Sequence, residues 1–434
     1  MYAHPILPGR HPGTAGRRPP PPLVAALVVA AATVLAWPRI GEPGYDAEHY
    51  LQIARGEPAL EPFALRFLVP KLAEVLAGWS GLPPEPFFLA SKALALWAFA
   101  WALIRLLVER GVPPAVAAAL PLASSGIPHL YGQTFLPDME ALALSALSLL
   151  ALDRGRVVTA LAIAALGIWV RETMAVFLAC IALASWWHTR QARVPAAALL
   201  LAVAALLLRP HLAGPTLGNV HGMPSLLYFA LKLPVNFLVN WLGIDWFTDR
   251  LSCRAPWFEL PPSLLAPLGV ARFGLCVPQP AWIARTVLLA VQPFGAAAAA
   301  LFVPARRGPL RGAITDPALL PATLAGAVAW PLGTLAGFWV DRLVMPAWPL
   351  ALFVVPVLLA RALGPLPRAW PVVIALWAVC GWGRLLLAAV MPGLPTDAYW
   401  ITAAALTLAL EALAALVMLR LLPAGGPAPN QRTP

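Results

Sequence analysis

Four short clusters of charge interrupt an otherwise apolar chain, and each holds residue types able to move a proton or grip an anion. The first is Tyr45-Asp46-Ala47-Glu48-His49-Tyr50. A carboxylate there can take a proton from a hydroxyl that comes within hydrogen-bond reach. In a regular helix Asp46 and Glu48 diverge by about 200°, from the 100° step per residue. Only one of them can then face a given reacting atom, whereas Asp46, His49 and Tyr50 share a face. The competing structural role for Asp46 is to cap a helix over 47–54. The second cluster, Pro137-Asp138-Met139-Glu140, opens an apolar run, where acidic groups also suit the helix dipole. The third, Arg171-Glu172-Thr173, lies where two short apolar helices meet; as a solvated ion pair it would contribute about 0–1 kcal/mol. The fourth is Asp341-Arg342. An arginine there can simply snorkel to the membrane surface, or clamp a lipid-linked phosphate through its planar fork, with Arg66 as a second cation.

These clusters sit in a chain for which water cannot be the main solvent. Of 434 residues, 60% are hydrophobic and 11% charged, with mean hydropathy +0.77, against about 25% charged residues in soluble domains. The net charge of +11 is scattered between apolar runs and forms no continuous basic face, which argues against nucleic acid as a partner. Breaking the apolar runs at charged and Pro/Gly clusters predicts spans near 23–37, 86–108, 113–124, 138–152, 156–170, 173–187, 195–208, 282–303, 318–338, 343–360, 369–391 and 400–419. The expected fold is an all-α polytopic membrane protein of about 12 transmembrane helices (about 10–13), since several runs fall short of the roughly 20 residues that cross the hydrocarbon core. Residues 1–22 and 423–434 are expected to be disordered cytoplasmic tails around a single transmembrane domain, 23–422. The basic N-terminus before Leu23 to Trp37 has the outline of a signal peptide, but no small-residue cleavage site precedes Pro38. An uncleaved first span is therefore expected.

Lys and Arg near span ends accumulate on the cytoplasmic side, which predicts that both termini and the Arg306–Arg311 connection are cytoplasmic. Acidic residues gather on the other side, except Glu109, Asp153 and Asp316 inside and Glu411 within a span. The chemistry is thus expected to face outward. Two long outer connections, 38–85 and 209–281, stand out, because long loops in compact domains are usually functional or disordered. In the first, Leu68, Leu72, Val75, Leu76 and Trp79 recur at helical spacing opposite Lys71 and Glu74, the pattern of an interfacial amphipathic helix. The second is rich in Trp, Phe, Pro and Gly and is expected to pack on the membrane surface or cover a site. It holds Cys253 and Cys276, which in an oxidising compartment form a disulfide worth about 3 kcal/mol by chain-entropy arguments, or else remain two unpaired thiols. Cys180 and Cys380 fall within spans as small apolar residues. No Cys/His spacing matches a zinc site.

In order and sidedness these features resemble the GT-C superfamily of integral-membrane glycosyltransferases, which use polyprenyl-phosphate-linked sugars. YDAEHY in the first outer loop is similar to the Asp-Glu motifs of protein O-mannosyltransferases, although the acids here are Asp-x-Glu and not adjacent. PFALRFLVPKLA follows as an Arg-containing interfacial segment, then short paired helices with PDMEA and VRETMAV, then DRLVMPAWPLAL as an Arg-plus-Pro start of a late span. The pattern covers residues 20–360.

The resemblance implies that Asp46 is a general base toward an acceptor hydroxyl, with Glu48 or His49 orienting it. It implies that Arg66, Arg171 and Arg342, with Asp138 and Glu172, form the donor-phosphate site, and that the sugar inverts. No cofactor is required by the sequence, and a divalent cation such as Mg or Mn is used by some members. The expected partners are the bilayer, a polyprenyl-phosphate-linked sugar, and a glycan, lipid or protein acceptor. Only Lys71, Lys92 and Lys232 are lysines, and the bias to Ala, Leu, Pro and Arg reads like a GC-rich bacterial genome, so the expected location is a bacterial inner membrane. Two alternatives remain. A secondary transporter also fits twelve spans, but would concentrate polar groups near the midplane and show related halves. A non-catalytic flippase or scaffold subunit of an envelope-polysaccharide pathway is the other.

Overall fold

The computed structural model describes residues 22–42, 45–214, 216–219, 225–244, 246–247, 256–268, 273–307, 316, 319–335, 337, 340–363 and 368–421. The two expected tails and residues 308–311 of the Arg306–Arg311 connection lie outside the described residues. The protein is a polytopic helical membrane protein, and every apolar run of the sequence contains helix. The helices are α1 (Pro22–Ala36), α2 (Tyr45–Ala54), α3 (Leu68–Ser80), α4 (Glu85–Val108), α5 (Pro114–Ala123), α6 (Gly126–Gly132), α7 (Asp138–Asp153), α8 (Val157–Gly167), α9 (Thr173–Thr189) and α10 (Arg193–Ala213). There follow α11 (Ser225–Leu242), α12 (Pro262–Leu265), α13 (Pro280–Val291), α14 (Ala297–Arg307), α15 (Leu320–Leu335), α16 (Val340–Leu343), α17 (Val355–Leu363), α18 (Ala369–Val390) and α19 (Thr396–Leu421).

Among the described residues four helices are long and apolar enough to cross a membrane, or six if each of two bent pairs is one span. Two expected spans are corrected here. The run 282–303 is broken, with its halves bent by 75°. Pro293 interrupts the helix by removing a donor, and Gly295 takes φ +61, a conformation only glycine adopts without strain. Glu411 of α19, buried, accepts the Ala299 N–H at 2.7 Å and so satisfies one of the free donors at the start of α14. The run 343–360 is likewise bent by 55° between Val340–Ala347 and Pro349–Leu363. Pro346 and Pro349 fall at that bend, and Pro349–Val354 winds as a π-helix.

The bend matters because it aims α16 at the site. Trp348 anchors the segment: it is fully buried, donates to Ser145 Oγ of α7 at 2.8 Å and meets Phe99 of α4 edge-on at 5.0 Å. α15 backs the same segment through two glycines. A Cβ on Gly333 would lie 2.5 Å from the Leu343 carbonyl, and one on Gly326 would collide with Leu350.

The two long connections are joined. β1 (Ala59–Glu61) pairs in parallel with β2 (Thr216–Asn219), Ala59 opposite Thr216 and Glu61 opposite Asn219. In α3, Val69, Pro70 and Ala73 are buried while Leu72, Val75 and Trp79 are 52%, 65% and 87% exposed. Apolar side chains that exposed suit contact with lipid, the placement expected of an interfacial helix. Farther along, β3 (Trp246–Phe247) and β4 (Pro256–Glu259) flank β5 (Gly274–Cys276) in an antiparallel sheet. Cys276 is disulfide-bonded, Cys180 and Cys380 are buried free thiols, and Cys253 lies outside the described residues.

Candidate active site

Charged residues separate to the two ends of the bundle. Arg110 with Asp153, and Arg361 with Asp316, pair at one end. The four clusters singled out in the sequence converge at the other. Helix α2 begins at Tyr45, so Asp46 lies inside its first turn and does not cap it. Its carboxylate instead accepts from Arg342 Nη1 of α16 at 2.6 Å. Arg342 Nε lies 3.6 Å from Asp138, the first residue of α7, and Asp138 also pairs closely with Arg171 ahead of α9. Asp46, Asp138, Arg171 and Arg342 are all shielded, their side chains 16% exposed or less. Burial, with Arg66 and Arg342 near, pushes the Arg171 guanidinium down to about 9, against the opposing pull of Glu172.

Beside this quartet Arg66 grips Glu172 with two donors, Nε at 2.8 Å and Nη2, and gives Nη1 to the Tyr50 hydroxyl at 3.1 Å. Burial alone would raise the Glu172 carboxyl, but Arg66, Arg209 and Arg171 outweigh it and hold the group well below the usual range. Glu172 keeps 39% of its side chain exposed, so solvent screens what the pair contributes to stability.

The other expected residues are placed differently. Glu48 points outward, half exposed, 3.5 Å from Arg55, as the helical divergence from Asp46 requires. His49 is buried, stacked on Phe63 at 4.6 Å with Nδ1 3.1 Å from Gln52. The partners seen for them, Arg55 for Glu48 and Phe63 and Gln52 for His49, lie away from Arg342. Sequence reasoning missed three partners. Arg209 of α10 binds the Leu65 carbonyl at 2.5 Å and lies 3.5 Å from Glu172. Lys92 of α4 is fully buried, 3.1 Å from Glu140. Lys232 of α11 is within electrostatic reach of Glu172, Arg66, Arg171 and Arg342, and burial pushes it down to about 8. A lone lysine inside an apolar run was the signal for α4 and α11.

Among the described residues Arg66, Lys92, Arg171, Arg209 and Arg342 face Asp46, Asp138, Glu140 and Glu172, with Lys232 within electrostatic reach. Moreover Arg171 Nε and Nη2 and Arg342 Nε are buried donors with no hydrogen-bond partner among the described residues. Buried donors are normally satisfied, and a tetrahedral anion fits what these three offer. Below them an apolar crevice is lined by Leu142 of α7, Met174 and Phe177 of α9, and Ala325 and Ala329 of α15. Among the described residues no three His, Cys, Asp or Glu side chains group as metal ligands; Asp46 and Asp138 are each engaged by arginine.

No protein-family model and no curated protein matches the chain. Among solved structures it is similar to two crystal structures of ArnT from Cupriavidus metallidurans. One has undecaprenyl phosphate bound, with a TM-score of 0.43 and 14% identity over 92% of this chain and 77% of that one. The other is in the apo state, with a TM-score of 0.45 and 16% identity over 91% of this chain and 72% of that one.

Proposed function

We propose that the protein is a GT-C-type glycosyltransferase that moves a sugar from a polyprenyl-phosphate donor to a hydroxyl acceptor at the outer membrane face. The observation that carries this reading is a shielded carboxylate, Asp46, bonded to Arg342 beside three unsatisfied guanidinium donors. The donor phosphate would take those donors on Arg171 and Arg342. As Arg342 turns to the phosphate it releases the Asp46 carboxylate. The acceptor oxygen then attacks the anomeric carbon, its proton passes to Asp46, and the bond from that carbon to the phosphate oxygen breaks. Polyprenyl phosphate leaves with the electron pair, and the guanidiniums stabilise the charge that grows on it. A single carboxylate with a phosphate leaving group inverts the sugar. A divalent cation remains an expectation from the resemblance, and no step above passes through one.

The test is purified full-length protein in lipid with a labelled polyprenyl-phosphate sugar. Wild type should release polyprenyl phosphate, and Asp46→Asn, which keeps shape but removes the base, should lower turnover by at least about 10² while folding normally. Near-normal transfer by Asp46→Asn would move the base to another carboxylate. A secondary transporter is the second reading, and it draws on Glu411 at the break between α13 and α14, since broken helices and intramembrane acids mark many transporters. No donor cleavage, together with solute uptake lost in Glu411→Gln, would favour it.

A further inference from the structure

Around Asp341 gathers a second group of cations that the reaction above does not use. Asp341 sits 3.3 Å from His129 Nε2, and His129 Nδ1 is 2.7 Å from Arg39. Arg285 of α13 and Arg384 of α18 both act electrostatically with Asp341 or His129 and with each other. Arg285 lies over two indoles, 5.1 Å from the ring centroid of Trp282 and 5.6 Å from that of Trp400. Arg384 is half-buried, and no hydrogen bond or ion pair is found for it among the described residues. Three arginines thus meet one carboxylate, because burial pushes the His129 imidazole down toward its neutral form despite Asp341.

Beside Arg384, one turn on at Ala388, opens a cavity of about 240 Å³ between α18 and α19, walled by Met391, Pro392, Leu394, Tyr399 and Trp400. Its lining, which includes Thr396, is part polar and part apolar, and two of its walls face cations: Arg285 lies over Trp400 and Arg384 acts electrostatically on Tyr399. A cation held over indoles, with a second beside it and a partly apolar slot between, matches an amphiphile whose head carries negative charge.

We propose that this cavity is a second lipid site, and that it takes the acceptor as a phosphate-bearing amphiphile whose headgroup binds Arg384 and Arg285. The acceptor role rests on the glycosyltransferase reading; the anionic headgroup site does not. The two sites share the dipeptide Asp341-Arg342: the Asp341 carboxylate meets His129 of the second group, and the Arg342 guanidinium holds Asp46.

The test uses full-length protein in phosphatidylcholine nanodiscs, titrated by calorimetry with dihexanoyl phosphatidic acid, dihexanoyl glycerol or inorganic phosphate. Phosphatidic acid should bind, and Arg384→Gln should weaken it at least about fivefold, the effect of losing one hydrogen bond to a charged group. Arg384→Lys should restore part of that loss, and a melting scan reports whether each variant is folded. Arg66→Gln and Asp46→Asn should bind phosphatidic acid as wild type does. Equal binding of dihexanoyl glycerol, or inorganic phosphate binding as tightly as the lipid, would overturn the amphiphile site. A loss in Arg66→Gln but not in Arg384→Gln would assign the lipid to the donor cluster and overturn it too. Arg384-dependent binding without any donor cleavage by wild type would sink the glycosyltransferase reading and the acceptor role, leaving the anionic site; transfer without such binding would sink the site alone.

Discussion

At the scale of single residues, the site turns on Arg342, which holds Asp46 at 2.6 Å and reaches toward Asp138. Lysine keeps the charge but loses the fork. Turnover per folded molecule should fall in Arg342→Lys and fall further in Arg342→Ala, by the roughly 2.7–4 kcal/mol of a lost transition-state donor. Donor-cleavage rates for both variants, measured against folded protein, check this; an unchanged Arg342→Ala removes the residue from the site. Lys232 makes a second prediction. With its amine pushed down to about 8, it loses its proton, and the cluster a positive charge, as pH rises through that value. Donor KM should therefore climb above pH 8, and Lys232→Gln should raise KM at pH 7 and remove the part of the climb centred near pH 8. Asp46, Asp138, Arg171 and Arg342 were legible in the sequence because charge is costly in an apolar chain. That Asp46 and Glu48 point apart was legible too, from helical geometry, though not which of the two faces the site. The burial of His49 against Phe63 was not, because it depends on a chain segment that folds back over α2. Arg209 was equally hidden, since a lone arginine near a helix end reads as an anchor until its partner, Glu172, is known in space.

Elements do the aiming. α15 packs against the bent segment that begins with α16, and the approach is close because Gly326 and Gly333 have no side chains; close packing through small residues is how membrane helices associate. Gly333→Ala would push the Leu343 carbonyl away and move Arg342 with it. The variant should lose activity at least about tenfold, since displacements near 1 Å misplace reacting groups, although no charge has changed. Gly78→Ala in α3, where nothing lies within 4 Å of the added carbon, serves as the control. If both variants turn over at the wild-type rate, the backing role assigned to α15 is wrong. Apolar runs announced these helices but not their bends: composition is the same on both sides of Pro293-Phe294-Gly295, and only the local backbone chemistry of Pro and Gly breaks the run. The parallel pairing of β1 with β2 was invisible for another reason. Its strands are short and lie far apart in the chain, so no local periodicity marks them.

Over the whole molecule, the contacts among Asp46, Asp138, Arg171 and Arg342 require the turns that carry them to lie on one side of the membrane. Single cysteines at Trp79 and Leu394, in a background with Cys180 and Cys380 replaced by alanine, should react with an impermeant thiol reagent in intact cells. One at Gln191, between α9 and α10, should react only after permeabilisation. The reverse pattern would place the site in the cytoplasm. The ion pair between Asp46 and Arg342 joins residues 296 positions apart, and this has a consequence for biogenesis. The ribosome delivers the base early and its guanidinium partner only after about three-quarters of the chain has been made. A nascent chain halted before residue 340 can insert its first helices, yet it has no assembled centre with which to squander lipid-linked sugar during its own synthesis.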